Sequence, residues 1–153
     1  MSNPLADMQK PDVIFCIGTN MTECHPVAAT GIKKALAKGA RMIVADPRRI
    51  RLAELADLYL PIRVGSDVAL LLGMAHVISR EGLANEDFID ERTTGSEEFL
   101  RHLEQFTPEW AAELTGCNAA DIEAAARLYA GAERGAIYYT LVITEHICGV
   151  DNV

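Results

Sequence analysis

Five apolar residues in a row, Val13-Ile14-Phe15-Cys16-Ile17, stop at Gly18, and a short polar segment follows before a helical pattern begins near His25-Pro26. An uninterrupted apolar run of this length predicts a strand covered on both faces, as in a parallel sheet. Pro26 suits the first turn of a helix, where its missing N–H costs nothing. Val27 to Lys38 carries Ala, Ile, Leu and Lys at helical spacing, with Lys33, Lys34 and Lys38 late in it and Gly39 as its stop. Arg41 to Ala45 is a second short apolar run ending at Asp46-Pro47-Arg48. A helix-forming stretch over Arg49 to Ala56 and a third strand over Leu58 to Ile62 follow.

Beyond the turn Gly65-Ser66-Asp67, with Asp67 as a helix cap, the pattern changes to helices. These are predicted over Val68 to Ser79 (stopped by Gly82), Asn85 to Glu91, Ser96 to Gln105, Pro108 to Leu114 and Ala119 to Ala130. Thr107 and Asn118 are candidate caps. Ala136 to Ile143 reads as a last strand returning to the sheet. The expected architecture is α/β: a parallel sheet of about four or five strands flanked by helices, with a helical second half. Residues 1–11 are a flexible lead-in to one domain over 12–153. A chain that stops soon after a central strand, with no closing helix, reads as a truncated piece of a larger protein.

Composition narrows the chemistry. A net charge of −8 over 153 residues argues against a nucleic-acid backbone or an anionic membrane as partner. No apolar run approaches the roughly 20 residues that span a bilayer. Cys16, Cys24, Cys117 and Cys148 show no C-x-x-C spacing, which fits free thiols in a reducing cytoplasm. His25 and His146, with Cys24 and Cys148, lack the clustered spacing of a zinc site, so no metal ligand is assigned. No Ser-His-Asp order or paired carboxylates point to hydrolysis. His76 reads as a core or boundary histidine and His102 as surface. Trp110 and Tyr138-Tyr139 read as core packing, and Glu97, Glu98 and Glu113 as solvated helix faces.

The turns carry the candidate site. Gly18 lets a backbone approach a ligand closely, and the free N–H groups of the helix beginning at Pro26 would face an anion. The sequence here is Gly-x-Asn, so the Gly-x-Gly-x-x-Gly dinucleotide fingerprint is absent. Asp46, at the end of the second strand, stands where βαβ folds bind a ribose hydroxyl pair. From pattern alone, Gly18 and Asn20 can also form a plain turn, Asp46 can simply cap its own turn, and Asp67 can be a helix cap only.

An ordered set of short motifs resembles one family. Gly18-Thr19-Asn20 with Glu23-Cys24-His25-Pro26, then Ala45-Asp46-Pro47-Arg48, then Gly65-Ser66-Asp67-Val68-Ala69-Leu70-Leu71, are similar to the third domain of the molybdopterin oxidoreductase large subunit, and within it to formate dehydrogenase. Glu91-Arg92-Thr93, Thr107-Pro108-Glu109, Thr115-Gly116, Ala124 to Tyr129, Ile143 to His146 and Gly149 to Val153 continue the match in order.

The resemblance implies a Rossmann-like domain holding one of two molybdopterin guanine dinucleotides that chelate Mo or W. The catalytic Cys or selenocysteine, its neighbouring His and the iron–sulfur ligands would lie upstream, and the second dinucleotide site and a further active-site Arg downstream. The isolated chain is then expected to be inactive. Its partners would be the remaining domains of the large subunit and the electron-transfer subunits. Carried over by position, Gly18, Thr19, Asn20, Glu23, Cys24 and His25 would approach the pyrophosphate and nearby sugar. Asp46, Pro47 and Arg48 would lie by the guanosine. Gly65, Ser66 and Asp67 would line its guanine end, the Asp67 carboxylate matching guanine N1–H and N2–H. Glu145 would come near the pterin. Val142 stands where the family pattern has glycine. Two other readings remain: a stand-alone nucleotide-binding or regulatory module without redox work, and an interaction protein that self-associates through an exposed apolar edge.

Overall fold

The computed structural model describes residues 4–145 and residue 149. Four parallel strands form one sheet: β1 (Val13–Ile17), β2 (Arg41–Ala45), β3 (Leu58–Leu60) and β4 (Gly135–Tyr139), in the spatial order β3-β2-β1-β4. Central β1 pairs residue for residue with β2 (Val13 with Arg41 through Ile17 with Ala45) and with β4 (Val13 with Gly135 through Ile17 with Tyr139). All five β1 side chains are buried. Because side chains alternate across a strand, they feed two cores.

One core holds Val13, Phe15 and Ile17 with Ile43, Ala45 and Leu60, covered by α3 (Asp67–Arg80), α6 (Pro108–Thr115) and α7 (Ala119–Ala130) through Leu70, Met74, Ala111 and Ile122. The other holds Ile14, Cys16, Met42 and Val44, covered by α2 (Pro26–Ala37) through Ile32 and Ala35. Each fully buried Ile or Leu contributes about 1.5–3 kcal/mol.

The predicted helices form, with α4 (Glu86–Arg92) and α5 (Ser96–Leu103) completing the second half. The side chains of Asn85 and Thr107 accept the N–H of Phe88 and Trp110 as caps; Asn118 makes no such bond and its side chain reaches Asp121 instead. Ser66, not Asp67, is the cap position of α3, and Asp67 is the first helical residue.

Four local expectations differ. Leu5–Gln9, expected within the flexible lead-in, forms a 3₁₀ helix whose Met8 is buried against α2. There a Cβ on Gly31 would stand 2.9 Å from Met8 Cβ, so only glycine permits the contact. The stretch from Arg49 to Ala56 makes turns, not a helix, because Ile50, Leu52 and Ala53 are all drawn beneath the sheet at non-helical spacing. The last strand stops at Tyr139, where β1 has no further residue to pair, and the chain turns into α8 (Leu141–Thr144), burying Ile143. Tyr139, expected in the core, is 46% exposed at the last position of β4, a strand in which no residue is fully buried.

Two features of the helical layer are testable. A Cβ on Gly73 of α3 would sit 2.5 Å from the Cβ of buried Ala111 on α6, which has no flexible arm to move aside. We expect Gly73→Ala to lower stability by about 1–2 kcal/mol despite better helix propensity, since overpacking outweighs it; Ala111→Gly in the same chain should recover part of the loss in denaturant unfolding. Between α3 and α7, the Arg127 guanidinium takes Glu81 in a two-pronged grip (2.9 and 2.8 Å) and also Glu123 at 2.9 Å, while Arg80 bonds both glutamates. The guanidinium groups, Arg127 first, hold the Glu81 carboxyl down to about 2. Depressed in the fold, Glu81 contributes stability that is present above its unfolded range and lost as pH falls through about 2. The stability difference between the protein and Glu81→Gln should therefore be constant above about pH 4.5 and fade toward pH 2 in acid titrations of thermal unfolding.

Candidate functional site

In a parallel sheet every strand points its carboxyl end to the same edge, and here those ends are tied together in sequence. Gly18 N–H donates to Ala45 O at 2.9 Å, joining the end of β1 to the end of β2. Asp46 N–H donates to Leu60 O at 3.2 Å, joining β2 to β3. The Thr140 hydroxyl donates to Gly18 O at 2.8 Å, joining β4 to β1. The strand order makes β1 and β4 the place where the chain switches direction across the sheet, since β2 and β3 lie to one side and β4 to the other. Crevices that take ligands in open α/β sheets form at the carboxyl edge of such a switch.

Gly18 occupies this position with φ 55°, a conformation that favours glycine. Next to it Thr19 is 2% exposed, and its Oγ1 has no hydrogen-bond partner. Native proteins rarely leave a buried hydroxyl unsatisfied. Asn20 is the cap position of a single helical turn, α1 (Met21–Cys24), within the short polar segment that follows β1. Its Oδ1 accepts the Thr22 hydroxyl at 3.0 Å. Glu23, Cys24 and His25 are exposed on the outer side of that turn. His25 is the cap position of α2 and makes no side-chain cap bond, so the first N–H groups of a 12-residue helix are left without a side-chain acceptor from it.

Asp46 is 7% exposed at the end of β2, and its Oδ1 accepts Arg48 N–H at 2.8 Å. The Asp46 carbonyl accepts the Tyr59 hydroxyl at 2.9 Å, and the Arg49 guanidinium lies 5.9 Å over the Tyr59 ring. Pro47 and Arg48 are exposed.

The Gly65-Ser66-Asp67 turn begins five residues after the end of β3 and is built differently. Ser66 donates to Arg63 O from both its hydroxyl (2.7 Å) and its N–H (3.2 Å), while Arg63 reaches across to the Thr115 and Glu113 carbonyls at the end of α6. Gly65 has φ +81° and open space where a Cβ would stand. Ser66 is 8% and Asp67 3% exposed. The turn leads directly into α3. Glu145 is exposed one residue past α8, its N–H on Leu141 O at 2.8 Å.

The edge is thus a shelf. Two concavities of the surface lie elsewhere, one of about 680 Å³ at the opposite sheet edge by Asp12, Arg41 and Asp57, and one of about 700 Å³ between α3 and α5. Among the described residues no three His, Cys, Asp or Glu side chains could jointly hold a metal ion; His146 and Cys148 lie outside the described residues, as do Ile147 and residues 150–153, and nothing is assigned to the side chain of Val142.

Thr140 and Tyr59 are the residues that sequence reading missed. Thr140 carried a signal: it is the polar break between the apolar pairs around Tyr139 and Leu141, which marks a strand end. Tyr59 in a three-residue strand carried none.

A four-stranded parallel sheet with helices packed on both faces defines an α/β domain. The chain belongs to the molybdopterin oxidoreductase family, whose model matches residues 1–150. It is 39% identical over all 153 residues to formate dehydrogenase H of Escherichia coli K12, spanning 21% of that protein. It is 41% identical over the same length to F420-dependent formate dehydrogenase 1 subunit alpha of Methanococcus maripaludis, spanning 23% of it. The structure of acetylene hydratase from Pelobacter acetylenicus superposes with a TM-score of 0.85 at 34% identity, over 90% of this chain and 19% of that one. The chain therefore spans about a fifth of the length of these relatives, and the family implies a molybdopterin cofactor. No helix among the described residues is long and apolar enough to cross a membrane.

The thiols report on this edge. Cys16, in the middle of β1, is pushed up to about 12 by burial, whereas Cys24 is exposed beside the Gly18 turn. Of the cysteines at 16, 24 and 117, Cys24 alone should be alkylated in the native protein at neutral pH, with Cys16 reacting only after unfolding; peptide mapping by mass spectrometry checks this.

Proposed function

We propose that this chain is the domain of a formate-dehydrogenase-like molybdenum or tungsten oxidoreductase that holds the guanine dinucleotide of one molybdopterin. The observation that carries the reading is the Thr19 hydroxyl, buried without a partner beside the Gly18 turn at the sheet's switch point. A phosphate or sugar oxygen laid on that turn would satisfy it, and the N–H groups at the start of α2 would face the same charge. Gly18, Thr19, Asn20, Glu23, Cys24 and His25 are assigned to the pyrophosphate and neighbouring sugar. Asp46, Pro47 and Arg48 are assigned to the guanosine, with the Asp46 carboxylate toward ribose hydroxyls. Gly65, Ser66 and Asp67 are assigned to the guanine end and Glu145 to the pterin side. Asp67 sits in the first turn of α3, so a guanine edge would have to come within reach of a nearly covered carboxylate.

The bound cofactor would supply the redox chemistry, formate to carbon dioxide in the whole enzyme, and the residues of this chain would bind and orient it. The open shelf supports the remaining domains of the large subunit as the covering partner, with electron-transfer subunits and iron–sulfur clusters beyond them. A cytoplasmic location belongs to the same proposal.

An amide NMR titration with GDP, run against NAD, tests the reading. We expect shifts with GDP centred on residues 18–24, 46 and 65–67, and a weakening of about tenfold in Asp67→Asn, the loss of one charge-assisted hydrogen-bond pair on the order of 1.5 kcal/mol. Equal shifts with NAD would instead favour a general nucleotide module without redox work.

A further inference from the structure

The two edges of the sheet are built differently. β3 is three residues long, is followed at once by Pro61 and is preceded by Asp57, which is ion-paired with Arg41 of β2. A short strand flanked by proline and charge discourages another strand from adding to it. β4, at the opposite edge, is five residues long and reads Gly135-Ala136-Ile137-Tyr138-Tyr139, with no charge and no proline. Among the described residues no strand pairs with its outer flank.

One bond fixes which backbone groups that flank carries. The Arg134 carbonyl is turned toward β1, where it accepts the Asp12 N–H at 3.1 Å. Backbone groups alternate sides along a strand, so Gly135, Ile137 and Tyr139 turn their N–H and C=O outward. Their side chains also share one face of the strand. On that face Ile137 is 44% and Tyr139 46% exposed. Gly135 is exposed too, with the Tyr129 ring 3.1 Å from where a Cβ would stand.

The order of side-chain sizes selects the occupant. β4 runs from small to large: Gly and Ala first, Ile in the middle, two Tyr last. A second copy laid antiparallel about Ile137 sets Gly135 opposite Tyr139, Ala136 opposite Tyr138, and Ile137 opposite its own counterpart. Every large ring then faces a small residue, and the ring opposite Gly135 also meets Tyr129. A copy laid parallel in the same register would instead set ring against ring at one end. The antiparallel arrangement also places the charged neighbours Glu133 and Arg134 of the two copies at opposite ends of the pair.

We propose that β4 is a self-complementary dimer edge, through which two copies of this chain pair antiparallel about a two-fold axis at Ile137. Their two four-stranded sheets then join into one continuous sheet across an isologous contact. Because the paired strands run opposite ways, the two carboxyl edges point in opposite directions and both stay open. The inference therefore stands apart from the cofactor reading. One strand pair buries less than a standard interface, so the dimer is weak, with a dissociation constant on the order of tens of micromolar.

Amide hydrogen exchange on the intact chain, compared at about 5 µM and about 500 µM, tests this by mass action. The outward amides of Gly135, Ile137 and Tyr139 should slow by about fivefold at the higher concentration, while those of Ala136 and Tyr138, which face β1, change little. Sedimentation equilibrium should show a reversible monomer–dimer step. Ile137→Lys, which sets two like charges together on the axis, should weaken that step by about tenfold or more. Ile137 is nearly half exposed, so the thermal midpoint at low concentration should hold in this variant. Ile137→Cys gives a second reading: residues opposed in an antiparallel pair lie about 5.5 Å apart, within disulfide reach, so mild oxidation should link position 137 of both chains. A strict monomer at the higher concentration, or a dimer that Ile137→Lys leaves intact, would overturn the proposal. So would outward amides that are already slow at the lower concentration and indifferent to it, which would assign the flank to another segment of the same chain.

Discussion

Each of the five β1 side chains must be covered, three from one side and two from the other, because the strand lies at the centre of a parallel sheet and has no solvent face. That requirement shapes what surrounds it. Ile14 and Cys16 are closed over by α2, the docked 3₁₀ helix and the turns beneath β2, while Val13, Phe15 and Ile17 are closed over by α3 and α7. The fully buried members of the first core all lie within the first 53 residues, with Tyr138 of β4 packed against them. The second draws on residues as far along as Ile143, so the helical half is as much a lid for β1 as a separate layer. The close Gly73–Ala111 approach and the Arg–Glu lattice hold that lid's helices together.

The same centrality gives the carboxyl edge its order. Gly18 uses both of its backbone groups in tying strands, the N–H to β2 and the carbonyl to Thr140 after β4. The turn is therefore fixed before any ligand arrives, and a ligand would meet a shaped surface without having to order it. The chain spans about a fifth of its relatives' length, and the carboxyl edge is open along its strand ends.

The parallel sheet and most helices were legible because they rest on local signals: continuous apolar runs for β1 and β2, helical spacing for α2, α3 and α7, and Asn85 and Thr107 as caps. What escaped depended on distant partners. Nothing in Leu141-Val142-Ile143 announces a helix; the strand ends because β1 ends. Nothing in residues 5–9 announces that Met8 lies against a glycine of α2. At the site, Gly18 and Asp46 were readable as turn and strand-end residues. The buried state of Thr19 was not, since a hydroxyl in a polar link reads as solvated until the sheet encloses it. Asp67 read as a cap and proved to be one residue inside the helix, almost covered, which only the packing of α3 on the sheet could reveal.

The pairing of β1 with β4 joins residues 122 apart in sequence, against 28 for β1 with β2. Closing so large a loop is entropically costly and is compensated only when α3, α6 and α7 have already gathered. β4 should then be the last strand to zip, leaving one side of β1 a bare ladder edge through most of folding. During synthesis that interval is long, because the whole helical half must emerge first. A chain in which β4 had not yet paired would present the flank of β1 as a bare ladder edge, the kind of surface on which strands of other chains can add.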